Sequence, residues 1–325
     1  NKMNKSKLSI FALTLLALSI IVHSCKKSDE DTTSTDSTMK VDSNNFLAAG
    51  LSEAISTVSR MMSDGSTADC YKIVSKSTPT DHTLGPWCPT NISDDASKGG
   101  IWISGGNVYD VDGAFIKNLA TFYNDNTWQM YNASTGVITK TSTKDDCANA
   151  ANPNVGAAYK NYCVECLPSY ITSLTSTIYI PITPKKATSS TSFGTGPRSD
   201  APSTRGVAFN GVVFDAPAPT SVILAAYTLA PFDDAGGHIN LNGGYHYHAA
   251  TGSTKEIAQP DGHAPMIGYA LDGFGLYARL SVAGTEYTDL DANRGHTDAT
   301  RGYHYHVDKA GSNNFINGLA GIYAK

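Results

Sequence analysis

The sequence predicts a mainly β fold (α+β). Its C-terminal half is a pseudo-twofold duplicated β unit, packed with a few short helices from the N-terminal half. Three observations predict it. The first is a repeat: Gly237-His238 followed five residues later by Gly244-Tyr245-His246-Tyr247-His248 reads G-H-x5-G-Y-H-Y-H, and residues 295–306 read the same without a gap. Upstream, 206–214 and 268–276 both follow G-x-A-Φ-[N/D]-G-x-x-Φ, where Φ is a large apolar residue. Residues 206–248 and 268–306 therefore read as one unit written twice. Second, this half consists of short β-prone pieces punctuated by glycine. Third, only 16% of residues are charged, while glycine and tyrosine are frequent (29 and 17 residues), the balance of a loop-rich β protein.

From the N-terminus, Met3 reads as a start, Lys5 and Lys7 as a positive n-region, and 8–22 as an apolar signal-peptide core too short for a comfortable membrane span. Val22-His23-Ser24-Cys25 resembles a bacterial lipobox, so 1–24 would be a signal peptide and Cys25 the lipidated residue, with acyl chains as a membrane anchor. Residues 25–45 form a polar tether, and its acidic start resembles a surface-export signal. The expected location is the bacterial outer membrane, on the cell surface. A net charge of −5 without a basic stretch argues against nucleic acid as a partner.

Residues 46–184 read as an α+β portion. Apolar residues from Phe46 to Met62 recur at helical spacing, which predicts an amphipathic helix to Ser63. Strands are expected at Tyr71–Val74, Ile101–Ser104 and Ser176–Ile182, and a capped helix after Asp112. Trp128–Tyr131 and Val137–Thr141 read as a hairpin, and Asn154–Glu165 as a third helix. Residues 185–204 read as a connector, and 205–325 as the duplicated unit, packed with 46–184 in one compact domain. Cys70, Cys88, Cys147, Cys163 and Cys166 suit disulfides in an exported protein, with one thiol left over. The Cys163/Cys166 pair has redox or half-zinc-site spacing, without the context either needs.

Alternate residues of a strand share a face, so in Tyr-His-Tyr-His the imidazoles point one way and the phenols the other. His246 and His248, or His304 and His306, then stand about 7 Å apart at Cβ, close enough for ring nitrogens to converge on one cation. His238 and His296 are third ligands by the same argument, and His263 lies in the connector between repeats. The expected ion is a divalent transition metal, zinc or copper. Acidic candidates nearby are Asp261, Asp272, Asp289, Asp291 and Asp298, and Asp261 or Asp272 would be the general base if the site were an enzyme's. The facing repeats suggest one shared site across the pseudo-twofold axis. Two rivals stand beside metal binding: a metal-dependent hydrolase or copper oxidoreductase on the same histidines, and a metal-free adhesion module.

These motifs, with Asp261-Gly262-His263-Ala264-Pro265 between them, closely resemble the YHYH-domain family of secreted bacterial proteins. The resemblance extends upstream through Gly85-Pro86-Trp87-Cys88-Pro89, Tyr109-Asp110-Val111-Asp112-Gly113 and Asn161-Tyr162-Cys163-Val164-Glu165. It implies a common site rather than an activity. Relatives often carry a cysteine just before the first Gly-Gly-His and another before the second Gly-His. Here those places hold Asp234-Ala235 and Leu290-Asp291-Ala292-Asn293-Arg294, so the resemblance implies a duplicated core held by packing alone.

Overall fold

Glycine and short β-prone runs give many brief strands. In the computed structural model, which describes residues 38–151, 154–193 and 201–325, they assemble into one large sheet and three small ones. The strands are β1 (Ser56–Met61), β2 (Thr67–Lys76), β3 (Ile101–Ser104), β4 (Asn107–Asp110), β5 (Thr175–Pro181) and β6 (Lys186–Ser192). In the duplicated unit follow β7 (Gly206–Ala208), β8 (Val213–Phe214), β9 (Gly237–Asn240), β10 (Gly244–Tyr247), β11 (Met266–Ala270), β12 (Gly275–Tyr277), β13 (Gly295–Asp298) and β14 (Gly302–His306). The chain closes with β15 (Gly318–Gly321). Helices are short: α1 (Gly113–Lys117), α2 (Leu119–Phe122), α3 (Lys144–Ala150) and α4 (Thr220–Ala225).

The duplication becomes symmetry in the eight-stranded sheet, whose order is β13-β14-β12-β11-β7-β8-β10-β9. Read from either edge, the order meets equivalent strands of the two repeats. At the centre β7 and β11 run antiparallel, with Gly206 opposite Ala270, Val207 opposite Tyr269 and Ala208 opposite Gly268. The repeat equivalence maps the pair Gly206/Ala270 onto Gly268/Ala208 and the pair Val207/Tyr269 onto itself, so the pseudo-twofold axis passes between Val207 and Tyr269, normal to the sheet. The matching continues outward: Tyr247 lies beside Phe214, and Tyr305 beside Leu276, in parallel pairs.

Alternation sorts the outer strands as expected. Tyr245, Tyr247, Tyr303 and Tyr305 are buried in the main core with Phe209, Phe214, Phe274 and Leu276, and with Ile73, Ile178 and Ile180 of the β1-β2-β5 sheet. A second core, built around Trp102, Ile116, Trp128 and Phe232, packs N-terminal elements against part of the first repeat. Disulfides Cys88–Cys163 and Cys147–Cys166 fasten this region, and Cys70 is buried and unpaired, as the odd count requires. Cys163 and Cys166 thus belong to different bridges.

Several local expectations are corrected. Residues 46–63 form 3-10 turns and β1, not a helix, because six consecutive residues of β1 pair with β2 and Thr57 and Val58 suit a strand. Between Asn154 and Glu165 only Ala157–Tyr159 is helical, as a 3-10 turn; Cys163 is held extended by bridges to Lys140 and Leu229. The helix nearby is instead α3, entered through a Thr143/Asp146 capping box. Part of the expected connector is β6, paired with β15. The 128–141 hairpin survives as a bridge from Tyr131 to Ile138. The helix after Asp112 is present, with the Asp112 side chain capping Phe115 N, but it is broken at Asn118 into α1 and α2. The signal peptide and Cys25 lie outside the described residues. Of the expected tether, Val41 is buried, and Asp42 N donates to the Tyr269 hydroxyl at 2.9 Å. Among the described residues no helix is long and apolar enough to cross a membrane.

Two glycines explain why the repeat is written Gly-His. A Cβ on Gly237 would collide with the Tyr245 ring, and one on Gly295 with the Tyr303 ring. Gly237→Ala and Gly295→Ala are therefore expected to cost about 1–3 kcal/mol each in denaturant unfolding, from overpacking. Gly243→Ala, whose nearest neighbour would be 3.9 Å away, should stay within about 0.5 kcal/mol of the parent.

Candidate metal centres

Each histidine group is built by a hairpin plus one strand's alternation. In the first, His238 of β9 lies directly opposite His246 of β10, and His248 follows two residues on. In the second, His296 of β13 is opposite His304 of β14, followed by His306. The tyrosines between them fix the strand from the other face. Tyr245 donates its hydroxyl to Asp233 and Tyr303 to Asp291, at 2.8 Å each, and both carboxylates also accept backbone N–H groups at the entrance of their hairpin. Tyr247 accepts from Asn210 at 2.8 Å, and Tyr305 donates to the equivalent Asp272 at 2.6 Å.

The imidazoles are oriented one by one. Nδ1 meets the carbonyl of Gly244 in His246 (3.0 Å), Ala216 in His248 (2.6 Å), Gly302 in His304 (2.9 Å), Ala278 in His306 (2.8 Å) and Ala264 in His263 (2.9 Å). His296 Nδ1 meets the Asp289 carboxylate at 2.9 Å, and His238 is hydrogen-bonded to the backbone at Ala230. Carbonyls and carboxylates only accept, so the Nδ1 atoms of His246, His248, His263, His296, His304 and His306 carry the hydrogen and their Nε2 atoms are bare. Those bare nitrogens then converge. His263 and His296 each approach His304 Nε2 (3.0 and 2.9 Å), His306 approaches His296 (3.2 Å), and in the first group His248 approaches His238 (3.1 Å).

Lone pairs facing one another at this distance repel unless a cation lies between them. Burial sharpens the point, because it pushes the pKa of His238, His246, His248, His263, His304 and His306 down and disfavours a proton as that cation. Tetrahedral metal–nitrogen bonds of roughly 2.0–2.1 Å would set neighbouring nitrogens roughly 3.3 Å apart, near the observed spacing. An all-imidazole donor set suits zinc, copper, iron or nickel rather than calcium or magnesium. Two groups in the described residues thus have the geometry to hold a metal ion: His238, His246 and His248, and separately His263, His296, His304 and His306.

This replaces the expected single shared site. β10 and β14 are five strand spacings apart in the sheet, roughly 24 Å. The long connector does carry His263 to a cluster, but to the second one alone. Asp261 holds that connector: Arg301, 3% exposed, binds both Asp261 oxygens at 2.6 Å and Asp298 at 2.5 Å, and the hydrogen bonds from Arg301 pull Asp261 down to about 2. Asp261 in turn accepts from His263 N at 3.2 Å. Asp272 faces the tyrosine side, bound by Tyr305, Gly321 N and Phe274 N, with burial lifting it to about 6. The structure therefore puts Asp261 in an ion pair and Asp272 behind the strand, and brings neither carboxylate into a histidine group. Tyr287, stacked on His306 at 3.8 Å between centroids, and the carbonyl acceptors had no sequence signal.

Fold and site together define a class: a duplicated β-sheet protein with a histidine cluster near each edge of one sheet. The family model described as YHYH protein matches residues 177–289, so the chain carries a YHYH domain. The match takes in the first Tyr-His-Tyr-His and His263 and ends before the second. No curated protein and no solved structure matches the chain.

His304 and His306 are held down to about 4 and about 3, mainly by burial, whereas an unfolded histidine titrates near 6.5. Between those values the unfolded chain binds more protons than the folded one, so the stability of ion-free protein is full above about pH 6.5 and declines as pH falls through about 4 to about 3. Urea midpoints of metal-stripped protein should drop across this window. A midpoint that rises on acidification would contradict the burial of neutral imidazoles.

Proposed function

We propose that this protein is an extracytoplasmic, lipid-anchored metal-binding protein that holds two divalent transition-metal ions per chain, zinc or copper, one at each histidine group. The single observation that carries the reading is the convergence of bare Nε2 atoms whose Nδ1 hydrogens are already committed elsewhere. Such backbone and carboxylate partners are what orient histidine ligands in metal sites and raise their basicity. Export is supported by the two disulfides and by the Lys5, Lys7 and Cys25 pattern of the sequence. The anchor would place the protein in the bacterial outer membrane, facing the cell surface.

Metal per chain, measured on protein purified without an affinity tag, tests the reading. The parent should bind two ions, and both His246→Ala/His248→Ala and His304→Ala/His306→Ala should bind one with the fold intact, since distant sites act independently. Loss of all metal in either variant would restore a shared site, and no metal in the parent would leave the metal-free interaction module. For the anchor, Cys25→Ser is expected to move the protein from the detergent phase to the aqueous phase. Continued detergent partitioning of the processed variant would refute lipidation.

A further inference from the structure

The repeats match strand for strand, yet the two centres are not equivalent. The second has four histidines, and Tyr287 and Tyr277 pack over them, Tyr277 standing 4.8 Å from His263 and 4.9 Å from His304 between centroids. Among the described residues the first has three. Counting back from Gly206 the five residues that separate His263 from Gly268 arrives at Ala201, which has no metal-binding atom. Where β12 ends in Tyr277, the first repeat has Asp215 just after β8. The first group also lines a cavity of about 300 Å³, whose other walls include Trp87, Val164, Pro217, Val222, Ile223 and Ile239. In the described residues this is the histidine group that opens on such a space.

We propose that the second centre is a closed structural site and that the first keeps a coordination position open for a small organic acid, whose carboxylate would bind the metal while an apolar body fills the cavity. The inference rests on the metal reading above and specifies what the first centre takes. Four protein ligands complete a tetrahedral ion, whereas three leave a position for an exchangeable donor. Charge selects the donor. A divalent ion on three neutral imidazoles carries +2. Of the wall carboxylates among the described residues, Glu165 is paired with Lys140 at 2.6 Å, which leaves Asp215 to offset the charge, so an anionic head is favoured. The volume is at the lower end of small-molecule pockets, roughly 300–1,000 Å³, and its apolar walls suit a short aliphatic or aromatic body. The cavity wall is also fastened in place: Cys166 lines it and is bonded to Cys147, and Trp87 Nε1 donates to Gly237 O at 3.0 Å, next to His238.

Cobalt(II) replaces the native ion as a spectroscopic probe, with hexanoate and acetate as ligands. In full-length His304→Ala/His306→Ala, hexanoate should change the cobalt visible spectrum saturably. It should bind more tightly than acetate by about fourfold for each methylene that enters the cavity, and so by at least tenfold. In His246→Ala/His248→Ala neither acid should alter the spectrum. Ile223→Trp in the otherwise unaltered protein fills the cavity and should abolish the hexanoate response while both cobalt ions stay bound, which keeps the test decisive if a double variant misfolds. Cobalt bound at the first centre without a hexanoate response, equal affinity for the two acids, or an equal response at both centres would overturn this inference alone. Failure of the parent to bind cobalt would overturn it together with the metal reading.

Discussion

The structure depends on alternation along two four-residue runs, Tyr245-His246-Tyr247-His248 and Tyr303-His304-Tyr305-His306, carried by β10 and β14. A phenol ring buried in an apolar core is stabilised by its area, on the order of 2–3 kcal/mol, provided its hydroxyl finds a partner. Asp233, Asp291, Asp272 and Asn210 provide those partners. Once the tyrosines are fixed, a one-residue slip would drive imidazoles into the core and phenols out of it, so register and ligand direction are set together. The histidines are thus held from behind, by groups on the opposite face of the strand.

That logic explains how much of the site was legible in sequence. Alternation is local, so the shared face of His246 and His248, and the return of His238 through a hairpin, followed from spacing alone. Whether the two sets meet depends on the pairing of β7 with β11, a contact between residues sixty or more apart that leaves no local pattern. The connector was read as spanning a junction, whereas Arg301 ties it to the second repeat through Asp261. Carbonyls such as Ala216 and Ala278 orient rings without any side chain to announce them. At the N-terminal end, apolar spacing from Phe46 to Met62 imitated a helix because strand pairing to β2 outweighs local periodicity.

Duplication also shows where the copies were free to diverge. Residues that hold the tyrosine face are matched or chemically equivalent: Asp233 with Asp291, Asn210 with Asp272, Gly237 with Gly295. Differences gather around the histidines instead. His296 is backed by the Asp289 carboxylate where His238 has only backbone, and His263 has no counterpart. One copy is surrounded by loops of its own repeat. The other borrows part of its surroundings from the disulfide-fastened N-terminal half, through Trp87 and Val164, beside Phe232 of its own repeat, 5.0 Å from His238 between ring centroids.

The central pairing of β7 with β11 has a consequence for assembly. In symmetry terms it is an isologous contact enclosed within one chain: each half presents the same edge, and each edge satisfies the other. The same hydrogen bonds would form if the second half of one molecule paired with the first half of another. What favours the intramolecular arrangement is the covalent link through residues 209–265, which sets a high effective concentration of one edge at the other. The seam of the sheet is therefore also the edge that either half would leave unpaired without the other.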